Sequence, residues 1–159
     1  MGKIQIFAGK GHGKSPAALG EAVMAAAAGK HVVIIQFLKG KGLIESELER
    51  RLEPELKIFR FEKSAGDFNS WPEEKRKEEA RNIRNGIAFA RKVLMTGECD
   101  LLVLDEVLGL LDNGIIEEAE LQMLLRGVGD ETDIILTGIN LKDSICELAD
   151  RVSVVEAVK

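Results

Sequence analysis

The chain has no tyrosine and one tryptophan, and aromatics supply only 4% of its residues. Cysteine and histidine are equally scarce, with Cys99, Cys146, His12 and His31 the only examples. None of the four stands at CxxC or metal-ligand spacing, so neither a disulfide framework nor a cysteine–histidine metal site is expected, and both thiols fit a reducing compartment. An excess of positive charge is also missing. The formal net charge is -5, which excludes broad electrostatic attraction to nucleic acid or anionic lipid and leaves room only for a local basic pocket. No long apolar run is present either. The most apolar stretch, Ala22 to Leu38, is broken by Gly29, Lys30 and His31 and cannot span a membrane. Met1 runs almost directly into a strand pattern with no secretory leader, and a cytoplasmic location is expected. No repeat and no low-complexity linker is visible.

What is present reads as one domain over residues 1–159, with 45% apolar and 31% charged residues. Short apolar runs alternate with helical patterns. Strands are expected at Ile4–Ala8, Val32–Leu38, Lys57–Phe61, Leu101–Leu104, Ile134–Thr137 and Val152–Val155. Helices are expected at Lys14–Ala28, Leu43–Leu52, Pro72–Thr96, Glu117–Leu125 and Leu141–Leu148. In the longest, Ala80, Ile83, Ile87, Ala90 and Leu94 give one apolar face, and Arg76, Lys77, Glu78 and Glu79 a solvated one. Ser70 and Glu73 have capping-box spacing, and Gly97 can close the far end. This alternation predicts an α/β fold, a mostly parallel sheet with helices on both faces, of the P-loop NTPase (RecA-like) three-layer type. Ligands of such sheets sit beyond the carboxyl ends of the strands.

Two candidate chemical elements fall on that rim. The segment Ala8-Gly9-Lys10-Gly11-His12-Gly13-Lys14-Ser15 has the Walker A pattern, with Ala8 in place of the first glycine. Glycines let main-chain N–H groups turn toward phosphate oxygens, and the following helix presents its positive end to them. Lys14 would neutralise phosphate charge and Ser15 would place a hydroxyl on Mg²⁺, while His12 reads as a passive loop residue. Pro16 lacks an N–H in the helix's first turn, which a proline tolerates there but which removes one donor from the phosphate site. The second element, Leu101-Leu102-Val103-Leu104-Asp105-Glu106, reads as Walker B: a buried strand delivering carboxylates to the rim, where Mg²⁺ would bridge them to phosphate. Spacing does not decide between Asp105 and Glu106 as the metal's contact.

Several segments in order resemble the ATP:corrinoid adenosyltransferases of the P-loop type. They are Gly9 to Gly20, Gln36-Phe37-Leu38-Lys39-Gly40, Asp100 to Glu106, Leu136-Thr137-Gly138, and Glu147-Leu148-Ala149-Asp150. The resemblance implies transfer of the 5′-deoxyadenosyl group of ATP to the cobalt of a reduced corrinoid, with release of triphosphate. It implies ATP contacts from residues 9–16 and from Lys39, Mg²⁺ as cofactor, a homodimer, and an electron-donating reductase as a candidate partner. The loop Gly66-Asp67-Phe68-Asn69-Ser70-Trp71 resembles the segment whose aromatics help remove the lower axial ligand from cobalt. A second reading has Phe68 and Trp71 anchoring the loop and the helix after it. The pattern departs from the family at Pro16, at Ile139 where an arginine is usual, at Leu108 and Gly109, and at the two ends of the chain. These departures keep open a non-catalytic ATP- or corrinoid-binding relative, or a different P-loop NTPase or kinase.

Overall fold

A computed structural model describes residues 2–38, 47–64 and 66–159. Six strands form one sheet: β1 (Ile4–Ala8), β2 (Val32–Gln36), β3 (Leu56–Arg60), β4 (Leu101–Asp105), β5 (Asp133–Gly138) and β6 (Arg151–Val154). Their order is β3-β2-β4-β5-β1-β6, and every pairing is parallel. The helices are α1 (Lys14–Ala27), α2 (Leu48–Leu52), α3 (Glu73–Thr96), α4 (Leu108–Asp112), α5 (Glu118–Arg126) and α6 (Asp143–Cys146).

The period of two along each strand sorts its side chains between two cores. Ile4, Ile6, Ala8, Ile35, Phe37, Leu102, Leu104, Ile134 and Leu136 join the residues of α3, α4, α5 and α6 on one face. Phe7, Val32, Ile34, Leu101, Val103 and Ile135 meet Ala18, Ala22 and Ala26 of α1 on the other, with Leu52 of α2 at its margin. Helices therefore cover both faces, and β4 is buried along its whole length. That explains why the strands read as continuous apolar runs rather than alternating ones.

Aspartates fasten the amino ends of the strands. Asp100, Asp133 and Asp150 accept the main-chain N–H groups of His31, Lys3 and Ile4, each at 2.8 Å. Each bond satisfies a donor that a parallel ladder leaves open where a strand begins.

Some local expectations change. The Ser70–Glu73 capping box is not formed. Pro72 is the N-cap of α3, and the Ser70 hydroxyl donates instead to the Asp67 carbonyl at 2.7 Å. Gly97 does close α3, in the left-handed conformation. Glu79, assigned to the solvated face, is 2% exposed. Its carboxylate accepts the N–H groups of Lys63 and Ser64, at 3.0 and 2.9 Å, and a side-chain N–H of Asn82. It lies four residues before Ile83 and so faces inward with it. The helix expected at Leu141–Leu148 contracts to Asp143–Cys146, and α4 was not anticipated. Residues 43–46 of the predicted Leu43–Leu52 helix lie outside the described residues. No described helix is long and apolar enough to cross a membrane.

Candidate active site

The parallel register brings the glycine-rich turn after β1 and the acidic end of β4 to one rim, because β5 lies between them and pairs with both. Ser15, in the first turn of α1, donates its hydroxyl to Asp105 Oδ1 at 2.9 Å. Thr137, at the end of β5, donates to the same oxygen at 2.6 Å. Gln36, at the end of β2, reaches Asp105 Oδ2 at a long 3.5 Å. Asp105 is 4% exposed and Thr137 fully buried. A carboxylate in that setting holds its place because several donors converge on it.

Glu106 follows directly, with φ of 62°, an uncommon conformation for a residue with a side chain. Its N–H donates to Thr137 Oγ1 at 2.7 Å, which fixes the turn. The turn brings its carboxylate to within 3.4 Å of Lys14 Nζ, both side chains about 15% exposed (14% and 15%). One threonine hydroxyl thus orients both acids, donating to the first and accepting from the second.

The glycines of the turn after β1 make close contacts with the rest of the chain. Gly9 (φ 124°) packs against the Val155 carbonyl so closely that a Cβ there would strike main-chain atoms. A Cβ on Gly11 would lie 3.0 Å from the same oxygen. The Gly9 N–H donates to the Gly138 carbonyl at 3.1 Å, and the Gly11 N–H to Val155 O at 3.2 Å. Here these two amides hold the loop to β5 and to the chain after β6, and that close approach is itself a reason for glycine at these positions. Gly13 is the N-cap of α1, with no side-chain cap, and Ala17 N–H donates to its carbonyl at 2.9 Å, so Pro16 sits in the first turn without breaking the helix. Lys10, His12 and Pro16 are exposed. Lys39 lies outside the described residues.

The aromatic loop precedes α3 and is tied to the end of α4. Phe68–Ser70 forms a short 3₁₀ turn whose N-cap Asp67 accepts the Asn69 N–H. Asn69 Nδ2 then donates to Asn113 Oδ1 at 2.8 Å, tying the loop to the residue that closes α4. The Phe68 and Trp71 rings lie 5.9 Å apart, tilted by 59°, and Lys75 Nζ stands 4.8 Å from the Trp71 ring centre. Phe68 also packs against the larger core, so at least part of its work is to anchor this loop.

Oxygen donors from Ser15 and Asp105 fit a hard divalent cation, and among the described residues no group of three or more histidine, cysteine or carboxylate side chains could enclose a metal unaided. In the sequence, Gln36 and Thr137 stand only within longer matching segments. Nothing local in the sequence marks them as partners of Asp105, and only the strand register does so.

Comparison with known proteins finds one family over the whole chain. A family model described as ATP:corrinoid adenosyltransferase BtuR/CobO/CobP matches residues 1–159. The Corrinoid adenosyltransferase of Escherichia coli (strain K12) is 30% identical over 158 residues, covering 99% of this chain and 78% of that protein. Its counterpart in Salmonella typhimurium (strain LT2) is 29% identical over the same shares of both chains, 99% and 78%. Among solved structures, EssC (ATPases 2 and 3) from Geobacillus thermodenitrificans superposes with a TM-score of 0.54 at 16% identity, over 96% of this chain and 32% of that one. At that identity the likeness concerns the fold alone.

Proposed function

Since the chain belongs to the ATP:corrinoid adenosyltransferase family, we propose that it transfers the 5′-deoxyadenosyl group of ATP to the cobalt of a reduced corrinoid and releases triphosphate. The observation that carries this reading is the convergence of Ser15, Thr137 and Asp105 beside the Lys14–Glu106 pair, at the amino end of α1.

The corrinoid supplies the nucleophile, so the protein needs none of its own. Its tasks are to bind the polyphosphate, to balance the charge of the leaving triphosphate and to keep water out. Lys14 takes the second task, exchanging its contact with Glu106 for phosphate oxygens. The uncapped first turn of α1 and the loop from Gly9 to Gly13 receive the polyphosphate, with Lys10, His12 and Pro16 at its margin. Ser15 and Asp105 would hold Mg²⁺, Ser15 by its hydroxyl and Asp105 directly or through water. Glu106 serves the metal less well than Asp105 because its carboxylate is turned to Lys14. When bound, Mg²⁺ disperses the negative charge of the triphosphate. Phe68 and Trp71 act on the corrinoid, and Lys39 on the nucleotide. An external reductase supplies the electrons, and the working unit is a homodimer.

The reading is tested by mixing the purified protein anaerobically with ATP, Mg²⁺ and chemically reduced cobalamin. Adenosylcobalamin and triphosphate should appear in equal amounts. Binding of ATP without a Co–C bond would assign the chain to the non-catalytic relatives, a reading favoured by Ile139, which is 44% exposed at the position where an arginine is usual. Phosphate release without corrinoid would assign it to the NTPases.

A further inference from the structure

Beyond the end of β3 the chain buries an acid that the proposed chemistry does not use. Glu62 is 6% exposed, and its Oε1 has no hydrogen-bond partner among the described residues. Arg60 Nε lies 3.9 Å from the other oxygen, too far for a hydrogen bond, and is likewise buried without a partner among the described residues. Arg60 instead spends a terminal N–H on the Ser64 carbonyl at 3.0 Å. Glu79 of α3 stands nearby as a second acid, with its own oxygens engaged by Lys63, Ser64 and Asn82.

The Glu62 carboxylate draws on the main-chain N–H of Leu38, just past β2. Leu38 holds a left-handed φ of 55°, which a branched side chain adopts only when its surroundings impose it. Its Cδ1 occupies the space beside Gly109 of α4, where a Cβ would come within 2.8 Å. The Gly109 N–H donates to the Glu106 carbonyl at 3.0 Å, and Glu106 faces Lys14. A continuous series of contacts therefore runs from Glu62 through Leu38 and Gly109 to the turn that aims Glu106.

We propose that Glu62 is a positioning residue for the nucleotide site, its buried carboxylate holding the Leu38 turn, and through it Gly109 and the Glu106–Lys14 pair, differently in its two protonation states. The proposal rests on the reading of Lys14 and Ser15 as a nucleotide site. Burial pushes the Glu62 carboxyl up to about 7, against the pull of Arg60 and of the N–H groups of Glu62 and Leu38, while the charge of Glu79 adds to the rise. Arg60 from β3 and Glu79 from α3 are the charged groups that act on it among the described residues, and the end of β2 contributes only an amide. The ionised form grips the Leu38 N–H more tightly than the neutral acid does. Nucleotide binding should therefore strengthen as pH rises through neutrality.

Calorimetry of Mg-ATP binding from pH 6 to 8, on the wild-type chain and on Glu62→Gln, tests this. Beyond the change that ATP itself undergoes, which both proteins share, the wild-type Kd should fall by about threefold to tenfold. Glu62→Gln should stay near the wild-type value at pH 6. Without nucleotide, hydrogen exchange at the Leu38 and Gly109 amides, corrected for its intrinsic pH dependence, should slow with rising pH in the wild type alone. Arg60→Met should move the wild-type transition to higher pH, and it serves as the measurement if Glu62→Gln does not fold. Parallel pH profiles for wild type and variant, in binding and in exchange, would overturn the proposal. Failure of every form to bind Mg-ATP would overturn the nucleotide reading instead, and exchange at Leu38 and Gly109 would then decide the turn-holding role by itself.

Discussion

Asp105 and Glu62 are both buried acids near the carboxyl ends of adjacent strand systems, at 4% and 6% exposure, yet their neighbours treat them in opposite ways. Asp105 receives two hydroxyls and a long contact from an amide, drawn from α1, β5 and β2. Glu62 keeps one oxygen without a partner among the described residues, and Arg60 Nε, at 3.9 Å, is too distant to bond. Burial alone therefore does not set the behaviour of an acid. The donors that its strand register supplies do. Gln36 marks the divide, since its register partners are Asp105 on one side and Arg60 on the other. The side toward β4 is satisfied by donors from three elements, and the side toward β3 is left short of them.

The satisfied side should show the largest functional effect. Lys14→Ala removes the side-chain cation that lies 3.4 Å from Glu106 and, in the proposed reaction, faces the leaving triphosphate. Losing a preorganised charge stabiliser of this kind should lower kcat for adenosylation by about 10²–10³-fold. The rate of adenosylcobalamin formation under anaerobic conditions measures it. A variant retaining more than about a tenth of the activity would show that the charge is balanced elsewhere.

The unsatisfied side should show its effect in stability. Glu62 ordinarily titrates near 4.5 and is raised to about 7 in the folded chain. Between those two pH values the folded protein binds the proton and the unfolded chain has released it, so stability is lost as pH rises from 4.5 through 7. The loss amounts to about 3 kcal/mol, fully expressed above neutrality. Denaturant titrations at pH 5 and pH 8 should therefore separate wild type from Glu62→Gln, the variant gaining relative stability at the higher pH. An equal difference between the two proteins at both values would place the ionisation of Glu62 outside this window and remove the contrast with Asp105.

Asp105→Asn sharpens the same contrast from the other side. The amide keeps the volume but turns an acceptor-only group into one that carries donors, against Ser15 and Thr137 hydroxyls that both donate in this arrangement. Mg-ATP affinity should fall by about 10–100-fold, as when a group orienting a metal site is lost. Calorimetry with and without Mg²⁺ separates the metal's share. If affinity falls equally without Mg²⁺, Asp105 orients Ser15 rather than the ion.

The sequence carried the satisfied side well and the unsatisfied side poorly, for a physical reason. Continuous apolar runs and a glycine-rich turn are local signals, and they placed the strands, α1 and the meeting of the two motifs on one rim. Glu62 and Glu79 look like any surface acids in a charged stretch, because burial of a carboxylate depends on amides and cations brought in by other elements. Glu79 had a faint local signal in its spacing from Ile83, whereas Glu62 had none. The helix α4 leaves no periodic signal, because Leu108–Asp112 is barely more than one turn and contains Gly109, whose missing side chain makes room for Leu38. The Gly9 and Gly11 contacts with Val155 join residues at opposite ends of the chain, and no spacing rule anticipates them.

The smallest effect belongs to the loop that carries Phe68 and Trp71, and it decides how that loop is divided between anchoring and chemistry. Asn69→Ala removes the 2.8 Å bond to Asn113, an exposed pair whose net worth is about 0.5–1 kcal/mol. Thermal unfolding should register only that loss, because the Phe68–Trp71 contact and the packing of Phe68 on the core remain. If the loop only anchors α3, adenosylation should be unchanged once the protein is folded. If the loop also works on the corrinoid, kcat should drop while the KM for ATP stays fixed, since the bond to Asn113 sets the loop's distance from α4 and leaves the Lys14–Ser15 site untouched. Loss of ATP affinity in this variant would mean that α4 transmits strain from the loop back to Glu106. That result would merge the two regions into one mechanical unit, joined through Gly109 and Asn113.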